Sequence, residues 1–210
     1  MPTALLSSAY LPPVSFIAAM ASGTDVLIEQ HDNYVKQTYR NRCVIASASG
    51  PLTLTIPTVK ADAPKQKVKD VRISDHGEWR RQHWNALESA YMNTPFFMYY
   101  ADEFRPFYDR KWEFLIDYNM ELTGLILRLA GIPVGLKLTE SYCPTDRLDK
   151  NTLDFRSWIE PDICRESAPS QQPYWQVFRQ KYGFLPNLSA VDLLFNMGPE
   201  MRSIVGFNPF

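Results

Sequence analysis

Residues 25–42 read DVLIEQHDNYVKQTYRNR, and the reading of this stretch decides the fold. Its opening run, DVLI, has the apolar, β-branched character of a strand. From Glu29 onward the only apolar residues before Arg42 are two tyrosines and one valine. The segment has few small turn formers and many long hydrogen-bonding side chains, so it does not read as a plain linker. It is either a polar structural cluster or a site. In α/β proteins ligands bind beyond the carboxyl ends of the strands, which is where a strand over residues 25–30 would put it.

Working outward toward the N-terminus, residues 3–10 read as a short buried strand ended by Pro12 and Pro13. Pro13 suits a helix start. The helix expected over residues 14–21 puts Val14, Ile17 and Ala18 on one face and stops near Gly23. Strand, helix and strand in this order predict a right-handed βαβ unit with parallel pairing. The opening ALLSSAYLPPVSFIAAMASG is not read as a signal peptide, because no Lys or Arg precedes Lys36 and two prolines interrupt its apolar run.

Toward the C-terminus, residues 43–47 and 52–59 read as a hairpin around Ser49-Gly50-Pro51, with Leu52, Leu54 and Ile56 on its buried face. A basic, solvated loop over residues 60–69, with Pro64 inside it, and a short strand over 70–74 follow. Asp75 and Glu78 have the spacing of a capping box. In the next helix, to about Asn93, Trp79, His83, Leu87 and Tyr91 recur every four residues. Residues 96–100 are ambiguous, and a short helix is expected over 102–108. The clearest helix spans 112–130, closed by Gly131 and Pro133. Residues 134–138 read as a strand, and 189–197 as a last helix capped by Ser189. Residues 141–172 lack periodicity, carry several prolines and read as irregular surface chain anchored by Phe155, Trp158 and Ile159. The fold class is therefore α/β, a mixed β-sheet flanked by helices with a mainly helical C-terminal half.

With 210 residues, 45% of them hydrophobic and 13% aromatic, the chain has material for one real core. A net charge of −1 argues against phosphate-driven nucleic-acid binding. No apolar stretch is long enough for a membrane span. Cys43, Cys143 and Cys164 form neither a disulfide framework nor a zinc pattern, so they read as reduced, cytoplasmic thiols. No residue pattern names a cofactor or an oligomeric state, and no metal-ligand spacing appears among His31, His76 and His83.

Two groups of side chains could carry chemistry. Glu29 and His31 project to one side of an extended segment, where a carboxylate beside an imidazole would make a general acid or base; the alternative is a surface pair of little energetic weight. Lys36, Arg40 and Arg42 could hold an anionic ligand, or simply face solvent. His83 by itself reads as a hydrogen-bonded core residue. Capping explains Ser189 and Asp192, but not Asn187 or Asn196.

The chain resembles the WbqC-like family. The resemblance rests on AYLPPVSFIAAM, on DVLIEQHDNYVKQTYRNR as its most specific block, on WRRQHWNALESAY with TPFFMYY after it, and on PNLSAVDLLFNMGPE. It implies one domain over residues 1–210. The matched polar residues are Tyr10, Tyr34, Lys36, Asn41, Arg42, Trp79, His83, Tyr91, Asn187, Ser189, Asp192 and Asn196. It further implies a bacterial role in surface-polysaccharide biosynthesis of the O-antigen type, with glycyl or aminoacyl transfer to a nucleotide- or carrier-linked sugar. On that reading Lys36, Asn41 and Arg42 hold the anionic part of a small-molecule or carrier-linked substrate. Tyr10, Tyr34, Asn187 and Asn196 add substrate contacts, and His31 or His83 is the acid/base. A non-catalytic binding or assembly protein is the alternative. Two expectations follow: the 34–42 segment lies close to the helix bearing His83, and residues 141–172, which lack the family's Leu-Ser-Gly turn, leave a reduced or different site.

Overall fold

A computed structural model describes residues 2–23, 25–60, 65–167 and 171–206. Its strands are β1 (Thr3–Ser7), β2 (Asp25–Glu29), β3 (Arg42–Ser47), β4 (Gly50–Thr55), β5 (Leu136–Leu138) and β6 (Thr152–Asp154). Four of them form a parallel sheet in the order β5-β2-β1-β6, and β3 and β4 form a separate antiparallel pair. The strand TALLS of β1 has a neighbour on each side and is buried from residue 4 to residue 7. A parallel strand covered on both faces requires such a continuous run. The register of β1 with β2 runs from Thr3 opposite Asp25 to Ser7 opposite Glu29.

The helices are α1 (Val14–Ser22), α2 (Trp79–Tyr91), α3 (Phe97–Asp109), α4 (Leu115–Leu129), α5 (Pro161–Ser167), α6 (Arg179–Tyr182), α7 (Ala190–Met197) and α8 (Met201–Ile204). α1 connects β1 to β2, as the βαβ reading requires. Its first-turn amides have no partner within the helix. One of them, the Ser15 N–H, donates to Asn187 Oδ1 at 3.0 Å, so a residue far along the chain caps it. α7 is capped locally by Ser189, whose hydroxyl accepts from the Val191 amide. Gly198 ends α7 at φ 55°, where a Cβ would lie 2.5 Å from the Phe96 ring.

Several local expectations are corrected. Leu52 is exposed, while Leu54 and Ile56 are buried. Residues 70–74 make isolated bridges rather than a strand, although Val71 and Ile73 do face the core. Asp75 and Glu78 form no capping box. The Asp75 carboxylate pairs with Arg80 and Lys111, and Glu78 adopts a left-handed conformation before α2. Residues 97–100 belong to the same helix as 102–108, and Trp112 precedes α4. The largest correction is in residues 141–172, which contain β6, two short 3-10 turns and α5. Three-residue strands carry too little pattern to be read from sequence. In the basic loop, residues 61–64 lie outside the described residues, whereas 66–69 are bound to the polar segment. The amides of Tyr34, Val68 and Lys69 donate to the carbonyls of Gln66, Asp32 and Gln30 at 2.8–3.0 Å.

Most of the buried apolar residues form one cluster reaching from Ala4 to Val205. At its aromatic centre, Tyr10 Oη lies 2.9 Å from His83 Nδ1 and 3.2 Å from Tyr108 Oη. Trp79 meets the His83 ring edge-on at 5.2 Å. His83 is 4% exposed. Burial pushes its pKa down to about 4, against an opposing backbone hydrogen bond to Thr55. A neutral ring that donates to the Thr55 carbonyl accepts the Tyr10 hydroxyl at Nδ1.

The folded pKa of His83 lies below its unfolded value, so the native state binds fewer protons. The associated stability is present above pH 6.5 and is lost as pH falls through 4, by about 3 kcal/mol in all. A His83→Gln variant should therefore lose less stability than the parent between pH 7 and pH 4.5 in urea titrations. Identical pH dependence in the two proteins would contradict this account.

Candidate functional site

Parallel pairing puts the carboxyl ends of β1, β2, β5 and β6 on one edge of the sheet. The chain leaves β1 toward β2 and β5, then returns to place β6 on the other side of β1. The crevice beyond the ends of β1 and β6 is the point where strand order reverses, and α/β sheets bind ligands at such points. A cleft of about 670 Å³ opens there, lined by Asp32, Arg40, Tyr142, Asp154, Arg156 and Glu160 among others.

Two arginine–aspartate pairs form its walls. Arg40 comes from the polar segment after β2, and its side chain is 3% exposed. Its Nη2 donates to Asp32 Oδ2 at 2.9 Å and to Ser7 Oγ, at the end of β1, at 3.1 Å. Burial lowers the pKa of this guanidinium, and Asp32 resists the shift. Arg156 follows β6 and grips Asp154 with two prongs, Nε to Oδ1 at 2.9 Å and Nη2 to Oδ2 at 2.7 Å. It also donates to the Cys143 carbonyl and the Thr145 hydroxyl. Its pKa is raised, first by the hydrogen bonds to Asp154. Burial alone would raise the Asp154 carboxyl, but the Arg156 guanidinium and amide outweigh it and hold the group below the ordinary range.

Glu29, at the end of β2, is fully buried. Its Oε1 accepts from the His31 amide at 2.6 Å and the Thr139 hydroxyl at 3.0 Å. Its Oε2 lies 3.8 Å from Arg156 Nη1, too far for a hydrogen bond, and has no other partner among the described residues. Glu29 therefore holds the backbone of His31, not its ring. The imidazole Nε2 sits 3.1 Å from the Thr139 carbonyl, on the β5 side of the sheet. The expected carboxylate–imidazole pair does not form.

The other residues singled out from sequence do not converge on one cavity. Tyr10 and His83 meet in the aromatic core. Asn41 is buried and donates from Nδ2 to the Ile56 carbonyl at 2.9 Å. Arg42 opens β3, Tyr34 is half-buried and Lys36 is exposed. Asn187 caps α1, and Asn196 donates from Nδ2 to the Asp192 carbonyl one turn earlier in α7. The helix bearing His83 does pack on β3, where the Tyr91 hydroxyl receives the Ala46 amide. The helix thus packs on the strand that follows the segment, while His83 itself points into the core. Asp192 is buried, with no cation paired to it among the described residues. It accepts from Tyr91 Oη at 2.9 Å, Tyr174 Oη at 2.6 Å and Gln176 Nε2 at 3.2 Å, and burial raises its pKa against these bonds.

Sequence reasoning missed Asp154 and Arg156. The available signal was an acid and a base two residues apart in TLDFR, which share one side of an extended chain. Among the described residues no group of three or more His, Cys, Asp or Glu could hold a metal ion, and no helix is long and apolar enough to cross a membrane.

The comparisons agree with the sequence resemblance. "Uncharacterized protein Rv1507c" of Mycobacterium tuberculosis (strain ATCC 25618 / H37Rv) is 26% identical over 226 residues, covering 94% of each chain. No solved structure gives a significant match. The model of the WbqC-like protein family matches residues 7–165, a span that includes both arginine–aspartate pairs. Extending over more than half of the chain, that match makes this protein a member of the WbqC-like protein family.

Proposed function

We propose that the cleft binds the sugar of a nucleotide- or carrier-linked substrate, and that the protein serves surface-polysaccharide biosynthesis of the O-antigen type. The observation that carries this reading is the alternation of fixed donors and acceptors around the cleft, from Arg40 with Asp32 to Arg156 with Asp154. A sugar hydroxyl both donates and accepts, so a wall of carboxylate–guanidinium pairs meets several hydroxyls at once. Tyr142 adds a half-exposed aromatic face, and its ring lies 5.5 Å from the Arg156 guanidinium. The phosphate of such a substrate belongs at the rim. There Lys67 Nζ contacts Asn33 Oδ1 at 3.2 Å, and exposed Lys36 follows the cleft-lining Val35.

In the transferase form of this reading, a hydroxyl or amine of the sugar attacks the carbonyl of an acyl or aminoacyl donor and His31 takes its proton; the bond from that carbonyl to the donor's leaving group then breaks, and the leaving group carries the proton away. A non-catalytic binding or assembly role is favoured by one observation. His31 turns its ring toward Thr139 on the β5 side, while the cleft opens between β1 and β6.

Removing Arg156 would leave fully buried Glu29 without a cation and strip Asp154 of its partner, at a cost of about 3–5 kcal/mol in stability, so it makes a poor probe of binding. Ser157 lines the cleft and is exposed. Ser157→Phe should lower the calorimetric affinity for uridine diphosphate-linked hexoses by about 10-fold or more, with an unchanged melting temperature. Undiminished binding would move the site elsewhere, and no binding by the parent would end the sugar reading. His31→Gln then separates the two forms. A drop in turnover of about 100-fold with affinity kept supports the transferase, and unaltered behaviour supports the binding role.

A further inference from the structure

Positive charge is concentrated on one face of the protein. Residues 33–72 hold eight Lys or Arg against two Asp, in a chain whose net charge is −1. The fold gathers the segments that carry them. The Tyr34 amide donates to the Gln66 carbonyl at 2.8 Å, and Asn33 bridges Lys67. The Tyr34 hydroxyl lies beside Thr58, and the Val59 amide donates to the Arg72 carbonyl at 2.9 Å. Lys36, Lys60, Lys65, Lys67 and Lys69 are all exposed there. None of the five pairs with an acid among the described residues, and Lys67 Nζ contacts Asn33 Oδ1. Against them stand exposed Asp70, Glu160 across the cleft, and Asp62, which lies outside the described residues. Asp32 and Glu113 are already held by Arg40 and Arg72, so cations remain in excess once the neighbouring acids are counted.

A second feature says what such a face meets. Val35 is 49% exposed and Val59 is 48% exposed, and each directly precedes one of the lysines. Aliphatic side chains standing in water among cations have nothing to gain from a phosphate backbone. The cations are also lysines, which act as point charges, rather than the arginine forks of two-point phosphate recognition. The headgroup layer of a bilayer suits both features. Its negative potential draws the ammonium groups, and the acyl boundary beneath takes short apolar side chains while the lysine heads stay in water. We propose that this face docks the protein on a membrane surface rich in anionic phospholipid. The attachment is peripheral and uses no spanning helix. Asn33 and Val35 also line the cleft, so docking turns the mouth of the cleft toward the headgroups. The docking does not depend on the sugar reading; joined to it, docking makes the carrier of the sugar a lipid.

The test is co-sedimentation of the full chain with vesicles of phosphatidylcholine alone and of phosphatidylcholine mixed with phosphatidylglycerol. Partition should be about 10-fold or more stronger onto the mixed vesicles and should fall as salt is raised. The double variant Lys60→Gln, Lys65→Gln should lower that partition by about 10-fold or more, and Val59→Ser should lower it several-fold, both with unchanged melting temperatures. Titration of the double variant with uridine diphosphate-linked hexoses should match the parent, which keeps a failure of docking apart from a failure of the sugar reading. Equal partition onto the two kinds of vesicle overturns the proposal. So does binding to the mixed vesicles that the double variant leaves intact, because another surface then makes the contact. Duplex DNA and poly-L-glutamic acid serve as competing anions. If either binds through Lys60 and Lys65 more tightly than the vesicles do, and Val59→Ser has no effect, the face is built for that polymer and membrane docking is overturned.

Discussion

The main-chain hydrogen bonds of residues 10–14 hold the protein together. Here the chain leaves the central strand, and its polar backbone is buried, so each group needs a partner. The Tyr10 amide donates to the Tyr39 carbonyl at 2.8 Å, which docks the polar segment on the sheet. The Leu11 and Pro12 carbonyls accept from Ser189 Oγ and the Ala190 amide, both at 2.8 Å. The Val14 amide donates to Leu188 at 3.0 Å. One short stretch thereby ties β1 to the loop that carries Arg40 and to the N-terminus of α7. Leu11 pays for this with a φ of 39°, a conformation that a leucine keeps only where its surroundings over-determine it. Its side chain is fully buried.

That scaffold explains how two buried arginines can be tolerated, each in an ion pair with a half-buried aspartate. A charge removed from water destabilises the fold unless geometry and extra hydrogen bonds compensate. Arg156 meets the requirement locally, because Asp154 is two residues away and accepts from both its side chain and its amide. Arg40 meets it through tertiary structure, reaching back to Ser7 and to Asp32, while its carbonyl accepts from Asn119 at 2.8 Å. Glu29 is the incomplete member, with one oxygen doubly bonded and the other facing a guanidinium at 3.8 Å. This contrast sets the sheet edge apart from a fully satisfied polar core.

At the other end of the molecule Asp192 is handled differently. Among the described residues it has no cation, and two tyrosine hydroxyls and a glutamine amide satisfy it. Tyr174 and Gln176 come from the segment that precedes α7, so the carboxylate clamps that segment to the helix. Asp192, Ser189, Asn187 and Asn196, which lie beyond the residues matched by the family model, all have structural work of this kind, in clamping or in capping a helix.

Much of the architecture was legible because it depends on consecutive residues. The runs of β1 and β2, the four-residue spacing in α2, the stripe of α4 and the cap of α7 are properties of short windows, and parallel pairing follows from a helix between two such strands. The polar segment after β2 was legible as unusual for the same reason, and its place at a strand's carboxyl end was a sound pointer. What it contains was not legible. Whether Lys36, Arg40 or Arg42 turns inward depends on Ser7, Asp32 and Asn119, and the last of these lies 79 residues from Arg40. In sequence the three cations look alike, since each is equally well served by solvent. β6 was invisible because three residues carry no periodicity, and only pairing with β1 makes them a strand. The cleft exists because that pairing brings Asp154 and Arg156 beside Glu29 and Arg40, and such a meeting of distant side chains is a property of the folded chain alone.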